Sequence, residues 1–248
     1  MTNKKSKRQW IWFRGLIRWK IHWGDFETEF KKHFPEDEIQ MIDFPGFGDY
    51  HHLKSPIVIN EMLDHVDASV KGEGPFYVLA YSLGAMVAAQ WSDRHPHKIK
   101  QQFLMNTSDQ RSPFYKRLRP AQWPLLFSRL AFPSAEFVES GILDVVSNRP
   151  EMKEKYLAQF TKAFEKTPVF RHNLLRQLSL ATQIHFSKKA PVPTVILTSL
   201  GDRLVHHTCS VKIAKAWNLQ PHIHPSAGHD ISLDDPDWVI EKIDKFLL

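Results

Sequence analysis

The stretch GPFYVLAYSLGAMVAAQW, Gly74 to Trp91, decides the fold. Phe76 to Ala80 is a short, unbroken apolar run behind Gly74 and Pro75, the pattern of a strand buried on both faces. From Ser82 onward, Ala85, Met86, Ala88 and Ala89 have the spacing of a buried helix. The sequence therefore predicts a strand that turns sharply into a helix, with Ser82 at the join. A serine in that position sits on strained backbone with its hydroxyl exposed, and small residues two places before and after it leave room for the turn. Here those residues are Ala80 and Gly84, an Ala variant of the usual G-x-S-x-G pattern. Taken alone, the pattern also fits a serine that merely caps a buried helix.

Two later segments favour chemistry. The apolar run TVILTSL, Thr194 to Leu200, is followed by GDRLVHHTC, which puts Asp202 at the carboxyl end of a strand, where open α/β sheets bind their ligands. Its plainer reading is a turn-forming Gly-Asp pair. Near the end of the chain IHPSAGHDI places His229 in a Ser/Gly-rich loop before a last amphipathic helix. A serine nucleophile needs a base, and the base needs a carboxylate to hold its tautomer. The order Ser82, Asp202, His229 is the order of α/β-hydrolases and differs from that of the other serine-triad folds. Asp230 and Asp234 suit the acid role less well, because Asp230 adjoins the histidine and is badly placed to hold its far ring nitrogen.

The segments IWFRGLIRW, MIDFPGFGDY, AYSLGAMVAAQW, TVILTSLGDRLV and AGHD together resemble the α/β-hydrolase superfamily over nearly the whole chain. Within it the chain looks most like small capped carboxylesterases, including those that cleave pimeloyl-carrier-protein methyl ester, although no segment singles that group out. The resemblance implies an α/β fold: a mostly parallel sheet with helices on both faces and an inserted helical cap. Residues 1–107 would form the first part of the core, 108–189 the cap and 190–248 the second part. It also implies an oxyanion hole made by the amides of Leu83 and Leu16. The superfamily usually has His-Gly where this chain has Arg14-Gly15. An amide donor needs no particular side chain, so the hole survives that exchange. Arg14 is left with two readings: a buried arginine paired with a carboxylate such as Asp43 or Asp230, or a clamp on a substrate carboxylate.

A chain of 248 residues, 42% hydrophobic and 24% charged, has the composition of a water-soluble globular protein with one large core. Its basic start lacks the apolar segment and cleavage site of a secretory signal, and no run of 18 apolar residues suggests a membrane span. One cysteine, Cys209, allows no intrachain disulfide, so a cytoplasmic location is the expectation. Cys209 reads as an inert structural thiol more readily than a reactive one. His95 and His97 flank Pro96 without a third ligand nearby, so no metal is expected, and no organic cofactor is implied. DFPGFG, Asp43 to Gly48, lacks the spacing and lysine of a phosphate-binding loop.

Between Ser108 and Lys189 the strand–helix rhythm lapses into successive one-sided helical stripes: Trp123, Leu126, Phe127, Leu130; then Tyr156, Phe160, Phe164; then Leu174, Leu175, Leu178. Most of these residues would form the cap's own core, and Trp123 and Phe127 are the first candidates to face a substrate. This segment carries 14 Lys+Arg against 7 Asp+Glu, and the net charge of the whole chain is +6, so the entire excess lies here. Arg111, Lys116, Arg117 and Arg119 at its entrance and Lys188 and Lys189 at its exit suggest a patch for an acidic acyl carrier protein, with ordinary solubility as the plainer account. No nucleic-acid motif is present. The expected activity is serine-dependent hydrolysis of a small or medium acyl ester. Thioester cleavage, acyl transfer and a non-catalytic adaptor on the same fold stay open, as do monomer and homodimer.

Overall fold

The computed structural model describes residues 7–124, 134–168 and 170–248. Strands β1 (Gln9–Phe13), β2 (Glu38–Ile42), β3 (Phe76–Tyr81), β4 (Ile99–Met105), β5 (Thr194–Ser199) and β6 (His222–His224) form one parallel sheet in the order β2-β1-β3-β4-β5-β6. Helices α1 (Phe26–His33), α2 (Ile59–Ser69), α3 (Leu83–Arg94), α4 (Phe114–Arg117), α5 (Ala135–Val146), α6 (Pro150–Lys166), α7 (Arg171–Gln183), α8 (Thr208–Ala216), α9 (Ile231–Asp234) and α10 (Pro236–Phe246) surround it.

Parallel strands are buried on both faces, and successive side chains alternate between two cores. Ile11, Phe13, Val78, Ala80, Leu104 and Ile196 pack with residues of α2, α3 and α8, including Met62, Ala85 and Ile213. Trp10, Trp12, Leu79, Tyr81, Phe103 and Leu197 pack on the opposite face with Phe26 and Phe30 of α1 and with Val239 and Ile243 of α10. The aromatic content of β1 is thus explained: Trp12 lies within 5.3 Å of Trp23, Phe26 and Phe30, measured between ring centroids.

The chain runs from β1 outward to β2, then returns to place β3 on the other side of β1. Above the carboxyl ends of β1 and β3 the connections diverge, which opens the crevice where such sheets bind ligands. Arg14 to Leu16 follow β1 there, and Ser82 follows β3.

Between β4 and β5 the chain inserts α4 to α7. Tyr156 and Phe160 stack at 5.2 Å and join Leu143 and Leu233 in a small separate core. Two local readings of the sequence, a helix from Asp25 to Phe34 capped by Asp25 and an apolar stripe through Leu175, differ from what forms. Asp25 precedes α1 but makes no side-chain cap bond, because its carboxylate is drawn to Lys155 Nζ at 2.6 Å in α6. Leu175, expected on an apolar stripe, is 55% exposed, while Asn173 and Gln177 of the same helix are buried.

Candidate active site

Ser82 lies between β3 and α3 at φ +54° and ψ −120°, a strained conformation that residues with a side chain rarely adopt. Gly84 is required for the turn, since a Cβ there would come 2.3 Å from the Arg14 carbonyl oxygen. A Cβ on Gly15 would already stand 3.0 Å from Ser82 Cβ, so the two turns meet closely.

Asp202, 2% exposed after β5, accepts three hydrogen bonds at its carboxylate oxygens. Its Oδ1 accepts the amides of Leu204 at 2.8 Å and Val205 at 2.9 Å. Its Oδ2 accepts from His229 Nδ1 at 2.6 Å, and the Ser82 hydroxyl donates to His229 Nε2 at 3.0 Å. A carboxylate that accepts at Nδ1 leaves the ring proton there and the Nε2 lone pair facing Ser82, the tautomer a base requires. The Tyr81 ring packs 4.9 Å from the imidazole, and burial pushes its phenol well above the ordinary tyrosine range.

Nothing in the sequence pointed to Asn106. This residue follows β4 at φ +43°, donates from Nδ2 to the His229 carbonyl at 2.5 Å, and accepts at Oδ1 from the Ser199 amide at 3.0 Å and the Thr198 hydroxyl at 3.1 Å. It therefore ties the histidine loop to the end of β5. An isolated Asn after an apolar strand could only have been flagged by its tolerance of positive φ.

Leu83 directly follows Ser82 and Leu16 borders the same cavity, and the amide of neither donates to a partner among the described residues. Arg14 is 3% exposed and pairs with Asp230 rather than Asp43; its guanidinium carbon stands 4.6 Å from the ring centroids of both Trp23 and Tyr81. It also lines the cavity over Ser82. Asp230 simultaneously accepts the Ser232 hydroxyl at 2.6 Å at the start of α9. Asp43 instead receives the amides of Lys20 at 2.7 Å and Asp49 at 3.2 Å, while burial raises its carboxyl to about 6.

A cavity of about 660 Å³ opens over Ser82 and His229, walled by Val138, Ile142 and Val145 of α5, Phe164 of α6 and Leu174 of α7. The inserted helices are thus its walls. They are tied to the core by Arg18, whose Nη1 donates to Glu139 Oε1 at 2.8 Å and to His22 Nε2 at 3.0 Å. A guanidinium can only donate, so the His22 proton sits on Nδ1, and burial with the nearby Arg18 and Arg14 charges pushes its pKa well down. Glu139 on an otherwise apolar stripe was the only hint of this contact, and nothing in the sequence pointed to its partner.

Trp123 is not among the described wall residues: its indole donates back to the Leu118 carbonyl at 3.2 Å and its ring lies 6.0 Å from Phe114. Phe127 lies outside the described residues. Of the six basic residues at the ends of the insertion, three are engaged internally. Arg111 pairs with Asp109, Arg117 donates to the Ala181 carbonyl, and Arg119 donates to the Asp202 carbonyl at 3.0 Å. Cys209 is buried, which raises its thiol pKa, and His95 pairs with Asp67 at 3.0 Å. Among the described residues no three His, Cys, Asp or Glu side chains gather as a metal site, and no helix is long and apolar enough to cross a membrane.

A parallel, doubly covered sheet with a serine elbow at its switch point defines the class of α/β hydrolases. Residues 29–236 match the alpha/beta hydrolase fold family, and the chain belongs to it. It is 28% identical over 111 residues to a pimeloyl-[acyl-carrier protein] methyl ester esterase from Chromobacterium violaceum, a match that covers 44% of this chain and 39% of that protein. Among solved structures, a meta-cleavage product hydrolase from Pseudomonas fluorescens superposes with TM-score 0.76 at 15% identity, covering 96% of this chain and 90% of that one. A thermophilic esterase from Thermogutta terrifontis gives TM-score 0.70 at 17% identity, with 97% and 89% covered.

Proposed function

We propose that this protein is a serine hydrolase that cleaves a small or medium carboxylic ester through an acyl-enzyme. The observation that carries the reading is the hydrogen-bonded line from Ser82 through His229 to Asp202, with links of 3.0 and 2.6 Å. Ser82 Oγ attacks the ester carbonyl as His229 Nε2 takes its proton, and the amides of Leu83 and Leu16 hold the oxyanion. His229 then passes the proton to the departing alkoxide. Water, deprotonated by the same nitrogen, attacks the acyl carbon, and as the bond to Ser82 Oγ breaks His229 returns the proton to that oxygen, releasing the acid. Asp202, held by the Leu204 and Val205 amides, orients the imidazole and steadies the imidazolium. The inserted helices act as the cap, and Arg14 stands in the wall of the substrate cavity, its charge already engaged by Asp230. No step requires an organic cofactor or a metal.

The same nucleophile and hole serve thioester cleavage and acyl transfer. A carrier-borne substrate is the second reading, favoured by the similarity to the Chromobacterium protein; Lys116, Lys188 and Lys189 are the basic residues left to meet an acidic carrier, Arg111, Arg117 and Arg119 being bound internally. The single buried thiol accords with a reducing cytoplasm.

A fluorophosphonate probe should label Ser82 in the wild type and leave Ser82→Ala unlabelled, with hydrolysis of a short-chain aryl ester lost in the variant. A folded wild type that stays unlabelled while a control hydrolase reacts would overturn the reading and favour a non-catalytic adaptor.

A further inference from the structure

The space around Ser82 is divided into two unequal parts. The larger, about 660 Å³, is bordered by His229, Tyr81 and Asp230 and by the apolar wall of α5. The smaller, about 70 Å³, lies on the side of Leu83, Met86 and Asn106 and is bordered by Phe114 and Leu178 of the insertion. Ser82, Leu16, Leu118 and Leu204 border both, so the two spaces meet at the nucleophile. His229 borders the larger one alone.

That asymmetry has a stereochemical meaning. In the tetrahedral intermediate the former carbonyl carbon carries four groups: Ser82 Oγ, the oxyanion, the acyl chain and the oxygen of the leaving alcohol. The last must accept a proton from His229 Nε2, which stands 3.0 Å from Oγ, so the alcohol departs on the imidazole side. The acyl chain, diverging from the same carbon, is directed away from the imidazole. The space bordered by His229 therefore receives the alcohol, and the space bordered by Leu83 and Met86 receives the acyl chain.

Resting on the hydrolase reading above, we propose that the preferred substrates are esters of a short acid with a bulky apolar alcohol. At roughly 15 Å³ for each water-sized occupant, the smaller space holds about five heavy atoms, enough for a tail of a few carbons beyond the carbonyl. The larger space has the size of a typical site for a drug-sized molecule, and its α5 wall, Val138, Ile142 and Val145, offers the alcohol apolar contact. Once the alcohol has left, the same space admits the water of the second step from the imidazole side. A long acid esterified with methanol has the opposite proportions and fits poorly.

The test is kcat/KM on two ester series. In the first, one alcohol, 2-phenylethanol, is held while the acid grows from acetate through butanoate and hexanoate to octanoate. In the second, acetate is held while the alcohol grows from methanol through butanol to 2-phenylethanol. The first series should fall at least tenfold between butanoate and octanoate. The second should rise, by up to about fourfold for each methylene buried. Enlarging the smaller space with Met86→Ala, or with the half-buried Leu178→Ala should the first variant fold poorly, should raise the octanoate-to-acetate ratio about tenfold. Filling the larger space with Ile142→Trp should lower the ratio of 2-phenylethyl to methyl acetate. A flat or rising acid series, a methyl ester preferred throughout, or an unchanged octanoate ratio in both enlarged variants overturns the partition, while labelled Ser82 leaves the hydrolase reading standing. An unlabelled Ser82 with no turnover in either series overturns both.

Discussion

The end of the sheet and the inserted helices meet across one cavity, yet they are held by different means. Around Ser82, polar groups are bound several times over: Asp202 accepts from His229 and two amides, and Asn106 links the His229 loop to β5 through three hydrogen bonds. On the insertion side, Glu139 Oε2 and Gln177 Nε2 are buried without a hydrogen-bond partner among the described residues, as are Nη2 of Arg18, Glu139's partner in the core, and, at the sheet end, Nε and Nη1 of Arg14. The first arrangement leaves the reacting groups one geometry. The second relies on a few long-range pairs, so substitutions there should alter stability and substrate choice more than the chemistry at Ser82.

The sharpest test of the sheet end is Asp202→Asn. Its amide can replace the carboxylate sterically but lets His229 adopt the wrong tautomer, so kcat should fall by about 10⁴, the scale seen for the same exchange in a serine protease. The fold should persist, because the aspartate stabilises only a local turn and one ring. Near-normal turnover would remove Asp202 from the mechanism.

Across the cavity, Glu139→Ala should act on stability. It leaves the buried Arg18 guanidinium without its carboxylate, and losing one member of a buried pair costs about 3–5 kcal/mol. The double replacement Arg18→Met with Glu139→Leu should recover most of that loss, since no charge stays buried. Chemical denaturation measures both. If the single variant unfolds at the wild-type midpoint, the pair does not anchor the insertion.

The smallest effect concerns Asp43, beneath the loop that carries Arg18. Burial raises its carboxyl from the ordinary 3.8 to about 6, so the folded protein holds a proton that the unfolded chain has released between those values. Its contribution is therefore complete below about pH 4 and lost as pH rises through about 6, a change of up to ~3 kcal/mol. Asp43→Asn should flatten that part of the stability–pH curve relative to wild type. An unchanged slope between pH 4 and 7 would place the titration elsewhere.

The parts of the fold that could be read from the chain are those written locally. The β3 to α3 elbow needs a buried apolar run, a serine and a small residue at position 84, all within a dozen residues, and Gly84 is unavoidable because the Arg14 carbonyl occupies the space of any side chain. The parallel sheet was similarly legible from apolar runs that alternate with helical periods. The capping role expected of Asp25 failed because Lys155, 130 residues later, competes for the same carboxylate.

The order of Ser82, Asp202 and His229 along the chain, each just beyond an apolar run, is a property of the sequence by itself. So are the excess positive charge between Ser108 and Lys189 and the loss of strand–helix alternation there. How that charge is used depends on folding, because Arg111, Arg117 and Arg119 find carbonyls supplied by distant segments. The tertiary structure alone paired Arg14 with Asp230 and Arg18 with Glu139, and it alone divided the cavity into spaces of about 660 and 70 Å³. Strand and helix periods record a residue's immediate neighbours along the chain. A buried charge finds its partner, and a cavity its walls, among residues whose nearness exists only after the sheet has closed on its helices.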